Sequence, residues 1–197
     1  MELDDFREEL LDAIQMRLPV EPTKADREFA LICEIGERLT QAEEFSDLIP
    51  SHFLGTGSKG RKLRVDGYEL DESDDSLRLV VADFGGAGQV DALTRIRAEA
   101  LFGQLQAFVE DALSGRIWNN VPAGMEDGLE LASMIADRHA AIVRYRFYLF
   151  TDANLSERVK DLPQGEIDGH PIEYHIWDID RLNTLSSSTF GAEELEI

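Results

Sequence analysis

Two aspartates on neighbouring segments are the residues of this sequence best placed for chemistry. Asp66 lies within residues 63–70 (LRVDGYEL), and Asp83 lies near the end of residues 76–84 (SLRLVVADF). Both runs have the residue types of β-strands, and the polar break at 71–75 (DESDD) predicts an antiparallel hairpin. Carboxylates on adjacent strands can share Mg²⁺, which prefers oxygen ligands and polarises a phosphate for hydrolysis. The pair is therefore a candidate catalytic and metal-binding site.

The order of the predicted elements around this hairpin resembles the restriction-endonuclease-like plan. That family places an aspartate on one strand and Glu/Asp-x-Lys on the next, where the acids bind Mg²⁺ and the lysine helps to activate water. Asp66 fits the first acid, but Ala82 and Phe84 stand where the second acid and the lysine belong. Asp83 is one residue out of phase, and such a shift moves a side chain to the other face of the strand. The resemblance therefore implies a degenerate form of the fold.

A basic cluster precedes and enters the hairpin, and its members are Lys59, Arg61, Lys62 and Arg64. Residues 55–60 (GTGSKG) look like a phosphate loop, but the Gly-x4-Gly-Lys-Ser/Thr spacing is absent and no helix is predicted to follow. A nucleoside triphosphate site is therefore excluded. Lys59, Lys62 and Arg64 are interpreted as contacts for a phosphate group or an acidic partner. The alternative is a solvated approach to the hairpin, in which Arg64 shares a strand face with Asp66.

Composition restricts the class of protein. The 197 residues include 40 acidic and 19 basic side chains, for a net charge of −21, and 43% are hydrophobic. The chain can bury a core, and its acidity argues against nucleic acid binding through this segment alone, because phosphate contacts need a basic surface. The alternative interpretation of the charge is a solubilising surface or adaptation to salt. The apolar runs are far shorter than the roughly 20 residues that cross a bilayer, so no membrane association is expected.

Several other sites are excluded or disfavoured. The one cysteine, Cys33, rules out an intrachain disulfide, which is typical of the cytoplasm, and it lies on an apolar helix stripe where a core position is expected. The four histidines have no metal-ligand spacing, and His139 is interpreted as a buried or flanking histidine. Gly-x-Ser-x-Gly is absent, so serine hydrolase chemistry is not expected.

Apolar periodicity predicts the element order α-α-β-β-α-α-β-α-β-α. Helices are predicted near 3–18, 24–42, 91–113, 125–142, 156–161 and 178–185, and strands near 63–70, 76–84, 145–150 and 172–177. Thr23 is predicted to cap the second helix. Phe29 and Ile96 are predicted to face inward, whereas Glu28 and Glu34 are expected on the solvent face or, alternatively, as further ligands of a cation. Residues 46–62 are predicted to form a loop.

These elements predict an α/β fold with three layers, in which helices flank a mixed sheet of four or five strands. The final strand–helix–strand unit predicts a parallel pair. Residues 1–45 are expected to form a helical pair packed on an α/β core of residues 46–188. Residues 189–197 are expected to begin a linker or a following domain, so the chain is interpreted as the amino-terminal part of a longer protein.

Four segments are similar to the amino-terminal region of abortive-infection phage-resistance (AIPR) proteins. They are LRVDGYEL (63–70), LVVADF (79–84), YLFTD (148–152) and YHIWDIDRL (174–182). The similarity extends from the second helix to Leu185. It rests on the pattern of segments, carries no catalytic residue onto this chain, and implies a role in bacterial defence against phage.

Three functions remain open. The favoured hypothesis is a module of an anti-phage defence protein, nuclease-like in fold but without catalysis or a cofactor of its own, that serves recognition or assembly. The first alternative is an active Mg²⁺-dependent nuclease centred on Asp66 and Asp83. The second is an interaction or homodimerisation scaffold that uses Trp118, Trp177 and the aromatic run 145–150. The expected partners are another protein or the protein's own carboxy-terminal domain, in the cytoplasm.

Overall fold

The computed structural model describes residues 2–86, 88, 92–156, 162 and 164–193, which form a mixed α/β fold. The helices are α1 (Leu3–Met16), α2 (Lys24–Gln41), α3 (Arg95–Leu113), α4 (Glu126–Arg138) and α5 (Ile179–Glu193). The strands are β1 (Ile49–Thr56), β2 (Lys62–Asp71), β3 (Ser76–Asp83), β4 (Ala92–Leu93), β5 (Arg144–Thr151), β6 (Asn154–Leu155), β7 (Gly165–Ile167) and β8 (His170–Trp177). No helix in these ranges is both long and apolar enough to cross a membrane.

Six strands form one mixed sheet in the order β1-β2-β3-β5-β8-β7, and β4 pairs with β6 separately. Strands β1, β2 and β3 are antiparallel neighbours, β3, β5 and β8 run parallel, and β7 is antiparallel to β8. The predictions of the hairpin and of the final parallel pair are confirmed. The prediction of four or five strands is wrong, because β1 lies within residues 46–62, which are predicted as a loop, and no strand is predicted at β7.

Alternation along the strands divides the core between the two faces of the sheet. On one face, Leu79 and Val81 of β3 pack with α3 and α4, and on the other face Val80 and Ala82 pack with α1, α2 and α5. Helices therefore cover both faces of the hairpin. Each hairpin side chain is directed to one of two different environments.

Strand β1 was missed because its sequence lacks the usual strand pattern. Pro50 cannot donate to a ladder, and the register shifts between Pro50 and Phe53, as befits an edge strand. Helix α4 packs closely on this strand at Gly128, where an added Cβ would lie 2.5 Å from the Cβ of Phe53 and 2.8 Å from the carbonyl of His52. Strand β1 is therefore stabilised by packing against α4, which cannot be predicted from the strand propensity of its own residues.

Helix α2 begins at the predicted residue, but the face that it buries against the protein differs from the predicted one. The Thr23 hydroxyl accepts from the backbone N of Asp26, whose carboxylate accepts from the backbone N of Thr23, so the cap is confirmed. Phe29 is 53% exposed, whereas Glu28 and Glu34 are buried, and both assignments were therefore wrong. The buried acids are held by arginines: Glu34 by Arg17 and Arg38, and Glu28 by the hairpin.

Three further helix predictions need correction or fall outside the described residues. Helix α3 begins after Thr94, whose hydroxyl accepts from the backbone N of Arg97, and Ile96 is 80% exposed rather than inward. Helix α5 continues to Glu193, beyond the predicted end at 185. Residues 157–161 of the predicted short helix near 156–161 and the final residues 194–197 lie outside the described residues, and the domain boundaries stay predictions.

Candidate functional site

Asp66 is buried in β2, and its carboxylate is fully engaged. Only 4% of the residue is exposed. Its Oδ2 accepts hydrogen bonds from Arg64 Nε at 2.9 Å and from the backbone N of Ala82 at 2.8 Å. Its Oδ1 lies 2.8 Å from Nδ1 of His52 on β1. One carboxylate therefore joins three adjacent strands.

Arg64 bridges two buried carboxylates on the same face of the sheet. Its Nη2 lies 2.8 Å from Oδ2 of Asp66 and 3.0 Å from Oε2 of Glu28 on α2. Burial by itself lowers the pKa of Arg64, but the attraction of Asp66 and Glu28 outweighs it and raises that pKa above its ordinary value. The guanidinium therefore stays charged. We call Glu28, His52, Arg64 and Asp66 the hairpin cluster.

The hairpin cluster does not fit the divalent cation that a nuclease of this plan requires. The Arg64 cation lies between the two carboxylates that share its face, so it repels a second cation from that position. Ala82 and Phe84 offer no ligand where the family has an acid and a lysine. Over the described ranges, no group of three or more His, Cys, Asp or Glu side chains could hold a metal ion.

Asp83 lies on the opposite face of the sheet from Asp66. Asp83 is the last residue of β3 and lies on the same face of the strand as Val81. Its Oδ1 accepts a hydrogen bond from Nη2 of Arg97 on α3 at 2.6 Å. Asp66 contacts the backbone of Ala82 and reaches α2 through Arg64. The structure therefore does not bring the two aspartates together, and the shared metal site stays a prediction without geometric support.

An open cavity of about 590 Å³ adjoins the hairpin cluster where the end of β3 meets α1 and α2. Its lining is Leu11, Ile14, Gln15, Leu18, Lys24, Arg27, Glu28, Phe84, Gly85 and Gly86. Lys24 Nζ lies 3.4 Å from Oε1 of Glu28, on the other side of that carboxylate from Arg64. The cavity thus combines apolar side chains with the cations Lys24 and Arg27, and the charge of Lys24 is partly neutralised by Glu28.

The glycine segment beside this cavity is held by Asp152 at the carboxyl end of β5. The two Asp152 oxygens accept from the backbone N of Gly85 at 2.7 Å and of Gly86 at 2.9 Å. Burial raises the pKa of Asp152, although these hydrogen bonds and the nearby Arg7 guanidinium oppose that rise. Asp152 therefore fixes the exit from β3 and has a structural role at the cavity mouth.

A second charged group forms where the β1–β2 turn meets the end of α3. Asp111 is fully buried, and its Oδ1 accepts from Arg61 Nη2 and Arg116 Nη2, both at 3.2 Å. Its Oδ2 accepts from the backbone N of Ser58 at 3.1 Å. An added Cβ at Gly57 would lie 2.2 Å from that oxygen, which explains a glycine at this position.

We call Lys59, Arg61, Lys62, Glu110, Asp111 and Arg116 the turn cluster. Lys59 and Lys62 are exposed at the turn, as a contact role requires, while Arg61 Nη1 lies 2.5 Å from Oε2 of Glu110. Arg64 lies apart from both lysines because it is buried in the hairpin cluster. The structure therefore brings together only part of the predicted phosphate contact.

The residues that sequence reasoning missed are partners contributed by distant segments. His52 lies on the strand that was predicted as a loop, so no local signal marked it. Asp111 did leave a signal, since an acid next to Ala112 on the apolar stripe of a helix needs a cation. His139 has the flanking role that was predicted: its Nδ1 lies 2.9 Å from the Tyr145 hydroxyl and its Nε2 lies 3.1 Å from Asp168.

The residues predicted as reactive or interfacial have mostly packing roles. Cys33 is half-buried, and burial raises the pKa of its thiol, which disfavours a nucleophilic thiolate. Trp177 is buried, as are the aromatic side chains of β5. Trp118, in contrast, is 45% exposed, so it is the member of the predicted interface that remains available for a contact.

A comparison with models of protein families gives a match. A family model described as the abortive infection phage resistance protein N-terminal domain matches residues 31–184, which is most of the chain. Comparisons with curated proteins and with solved structures each gave no match. The matched range contains α3, α4, the six-stranded sheet and most of α2, and therefore the turn cluster and every member of the hairpin cluster except Glu28.

Proposed function

Because the chain belongs to the abortive infection phage resistance family through its N-terminal domain, we propose that it is a recognition or assembly module without catalysis of its own. Family membership implies the role in phage defence. The non-catalytic assignment is supported by the hairpin cluster. The plan of a hairpin, a helix and parallel strands favours descent from a restriction-endonuclease-like fold.

The observation that carries this proposal is the position of Arg64. A catalytic cation would need open oxygen ligands on Asp66 and on a second acid nearby. Arg64 instead spans Asp66 and Glu28, at 2.8 Å and 3.0 Å, and is itself only 7% exposed. An arginine salt bridge of this kind serves as a structural tie between β2 and α2.

The active-nuclease alternative receives less support from the geometry. It requires the carboxylates of Asp66 and Asp83 to converge within the span of two metal bonds, each about 2.0–2.6 Å long. The two side chains instead contact arginines on different elements, Arg64 and Arg97. A recognition role needs only a stable scaffold with an accessible surface, which this fold offers.

A cleavage assay tests the proposal. Single-stranded DNA, duplex DNA and RNA are incubated with the purified protein and Mg²⁺ or Mn²⁺, in parallel with Asp66→Asn and Asp83→Asn. We expect all three proteins to show the same background. Cleavage by the wild type that is lost in a folded Asp66→Asn variant would overturn the non-catalytic assignment.

A further inference from the structure

Two lysines stand out in a chain whose arginines are mostly neutralised. Arginines across the sheet and helices lie in ion pairs with carboxylates. Lys59 on the β1–β2 turn and Lys62 at the start of β2 are both exposed, and neither has an ion-pair partner among the residues that the structure describes. Two positive charges are therefore left over at one place on an acidic protein.

The turn that carries these lysines has a defined shape. The backbone N of Gly57 donates to the carbonyl of Arg61 at 2.8 Å, and Lys59 adopts a left-handed conformation with φ of 58°. The buried Asp111 then ties the turn to α3 through Ser58 and Arg61. The lysines are therefore presented by a preorganised turn, which reduces the entropy that a ligand must overcome.

The same aspartate holds a second segment beside the turn. Arg116 pairs with Oδ1 of Asp111, the atom that also accepts from Arg61. Residues 116–119 form a short 3-10 helix, in which Ile117 is buried and Trp118 is 45% exposed. Asn119 and Asn120 follow and are also exposed. An exposed aromatic residue and two amide side chains thus belong to the segment that Arg116 ties to the lysine turn.

The local charge of this region has the opposite sign to the net charge. The turn cluster contains the cations Lys59, Arg61, Lys62 and Arg116 and the carboxylates Glu110 and Asp111, which leaves an excess of two positive charges. At physiological ionic strength, charges are screened over about 8 Å, so contacts depend mainly on the local excess. The net charge of −21 still opposes the approach of a large polyanion.

We propose that the turn cluster and Trp118 bind a short stretch of single-stranded nucleic acid. Lys59 and Lys62 contact two phosphates, and the Trp118 indole stacks on a base. A few cations combined with an exposed aromatic ring are the elements by which proteins hold single strands without sequence preference. This site goes beyond the proposed function, because it lies outside the hairpin cluster and needs no catalytic residue.

A single strand fits these observations better than a duplex or an acidic protein. Two phosphate contacts cannot offset the repulsion between a duplex and a chain of net charge −21. Duplex bases are already stacked on each other, so Trp118 would find no free base face. An acidic peptide could pair with Lys59 and Lys62, but it would make no use of the indole.

Fluorescence anisotropy with a labelled single strand of about 10 nucleotides tests the proposal. Two phosphate contacts predict a slope of about −1.4 in the plot of log affinity against log salt. Trp118→Ala is expected to weaken binding by at least about fivefold, with Trp118→Phe close to the wild type. The double variant Lys59→Gln/Lys62→Gln is expected to remove the salt dependence and most of the affinity.

The matched control is the double variant Arg27→Gln/Arg138→Gln. Both arginines are exposed and lie on other elements without an ion-pair partner in the described part of the chain. The control should bind as the wild type does, with circular dichroism verifying that each variant is folded. Cleavage is measured separately, so failure of this site and failure of the proposed function remain distinguishable.

Four results would overturn the site. They are absence of binding at low salt, equal affinity for the matched duplex, binding that the lysine pair does not affect, and equal affinity for a polyglutamate peptide that is insensitive to Trp118→Ala. The last result would assign the turn to an acidic protein partner instead.

Discussion

The hairpin cluster and the turn cluster are both built on a buried aspartate held by arginine, yet they leave different charges exposed. In the hairpin cluster, Arg64 is shared by Asp66 and Glu28, and all three side chains are buried. In the turn cluster, Asp111 is equally buried, but Lys59 and Lys62 remain outside the ion pairs found among the described residues. The first cluster pairs its cation with its own carboxylates, whereas the second leaves cations for a ligand.

This difference follows from the elements on which the clusters lie. Asp66 is within a strand that is covered by α2, so every polar atom must find a partner in the protein. Lys59 and Lys62 lie at a turn on the surface, where water serves as the partner until a ligand replaces it. A carboxylate that the sequence predicts as a metal ligand can therefore have a structural role, while an exposed turn of the same sheet keeps cations outside the ion pairs of the described residues.

Arg64→Ala should have the largest effect on stability. The substitution leaves Asp66 and Glu28 buried without their cation, and breaking a buried pair in this way costs about 3–5 kcal/mol. Chemical denaturation at neutral pH measures the change in the free energy of unfolding. Arg95→Ala is the control, since its pair with Glu99 on α3 is solvent-exposed and worth at most about 1 kcal/mol. Equal losses in the two variants would contradict a buried, structural hairpin cluster.

Gly57→Ala should have an intermediate effect, through the turn cluster. The added Cβ would lie 2.2 Å from Oδ2 of Asp111 and 2.8 Å from the Leu63 side chain, so the turn must shift. Overpacking of this kind costs about 1–3 kcal/mol. Gly103→Ala in α3 is the matched control, because an added Cβ there contacts nothing within 4 Å. It should stabilise the protein by about 0.5–1 kcal/mol. A neutral Gly57→Ala would show that Asp111 does not hold the turn as described.

Glu173→Gln should have the smallest effect and serves as a reference for exposed charges. Burial raises the pKa of Glu173, but hydrogen bonds from Arg146 and Arg144 outweigh it and lower that pKa below 4.5. The stabilisation is therefore complete above the unfolded pKa and is lost as pH falls through the folded pKa. The variant should lose less than about 1 kcal/mol at neutral pH.

The pH profile checks this last prediction. Urea denaturation of the wild type and Glu173→Gln should give a small difference at neutral pH that disappears as the pH falls through the lowered pKa of Glu173 in the folded protein. A difference that grows on acidification would contradict the sign of the shift. A difference as large as that of Arg64→Ala would remove the contrast between buried and exposed clusters.

The parts of the fold that could be predicted were those with local signals. Alternation and a polar break predicted the β2–β3 hairpin, and Thr23 predicted the start of α2. Strand β1 could not be predicted, because Pro50 and its bulge obscure the alternation and its stability comes from β2 and α4.

The candidate site was only partly predictable, for a similar reason. Their spacing of two residues places Arg64 and Asp66 on one strand face, but Arg64 is predicted as a phosphate contact, and its ion pair with Asp66 is not predicted. Glu28 was assigned to solvent, because its burial depends on Arg64, which is distant in the chain. Hydrophobic periodicity assigns an acidic residue to the surface unless the cation that pairs with it is known. Clusters that join distant segments of the chain are therefore found only in the structure.

Calorimetric titration with Mn²⁺ tests the central claim, that Arg64 closes the hairpin cluster to a cation. An acidic chain binds Mn²⁺ weakly at many surface carboxylates, so the decisive quantity is the difference between the wild type and Asp66→Asn. Asp74→Asn, at a less buried aspartate on the hairpin turn, is the matched control. We predict the same weak isotherm for all three proteins. A saturable single site in the wild type and in Asp74→Asn that is absent in a folded Asp66→Asn variant would contradict the claim.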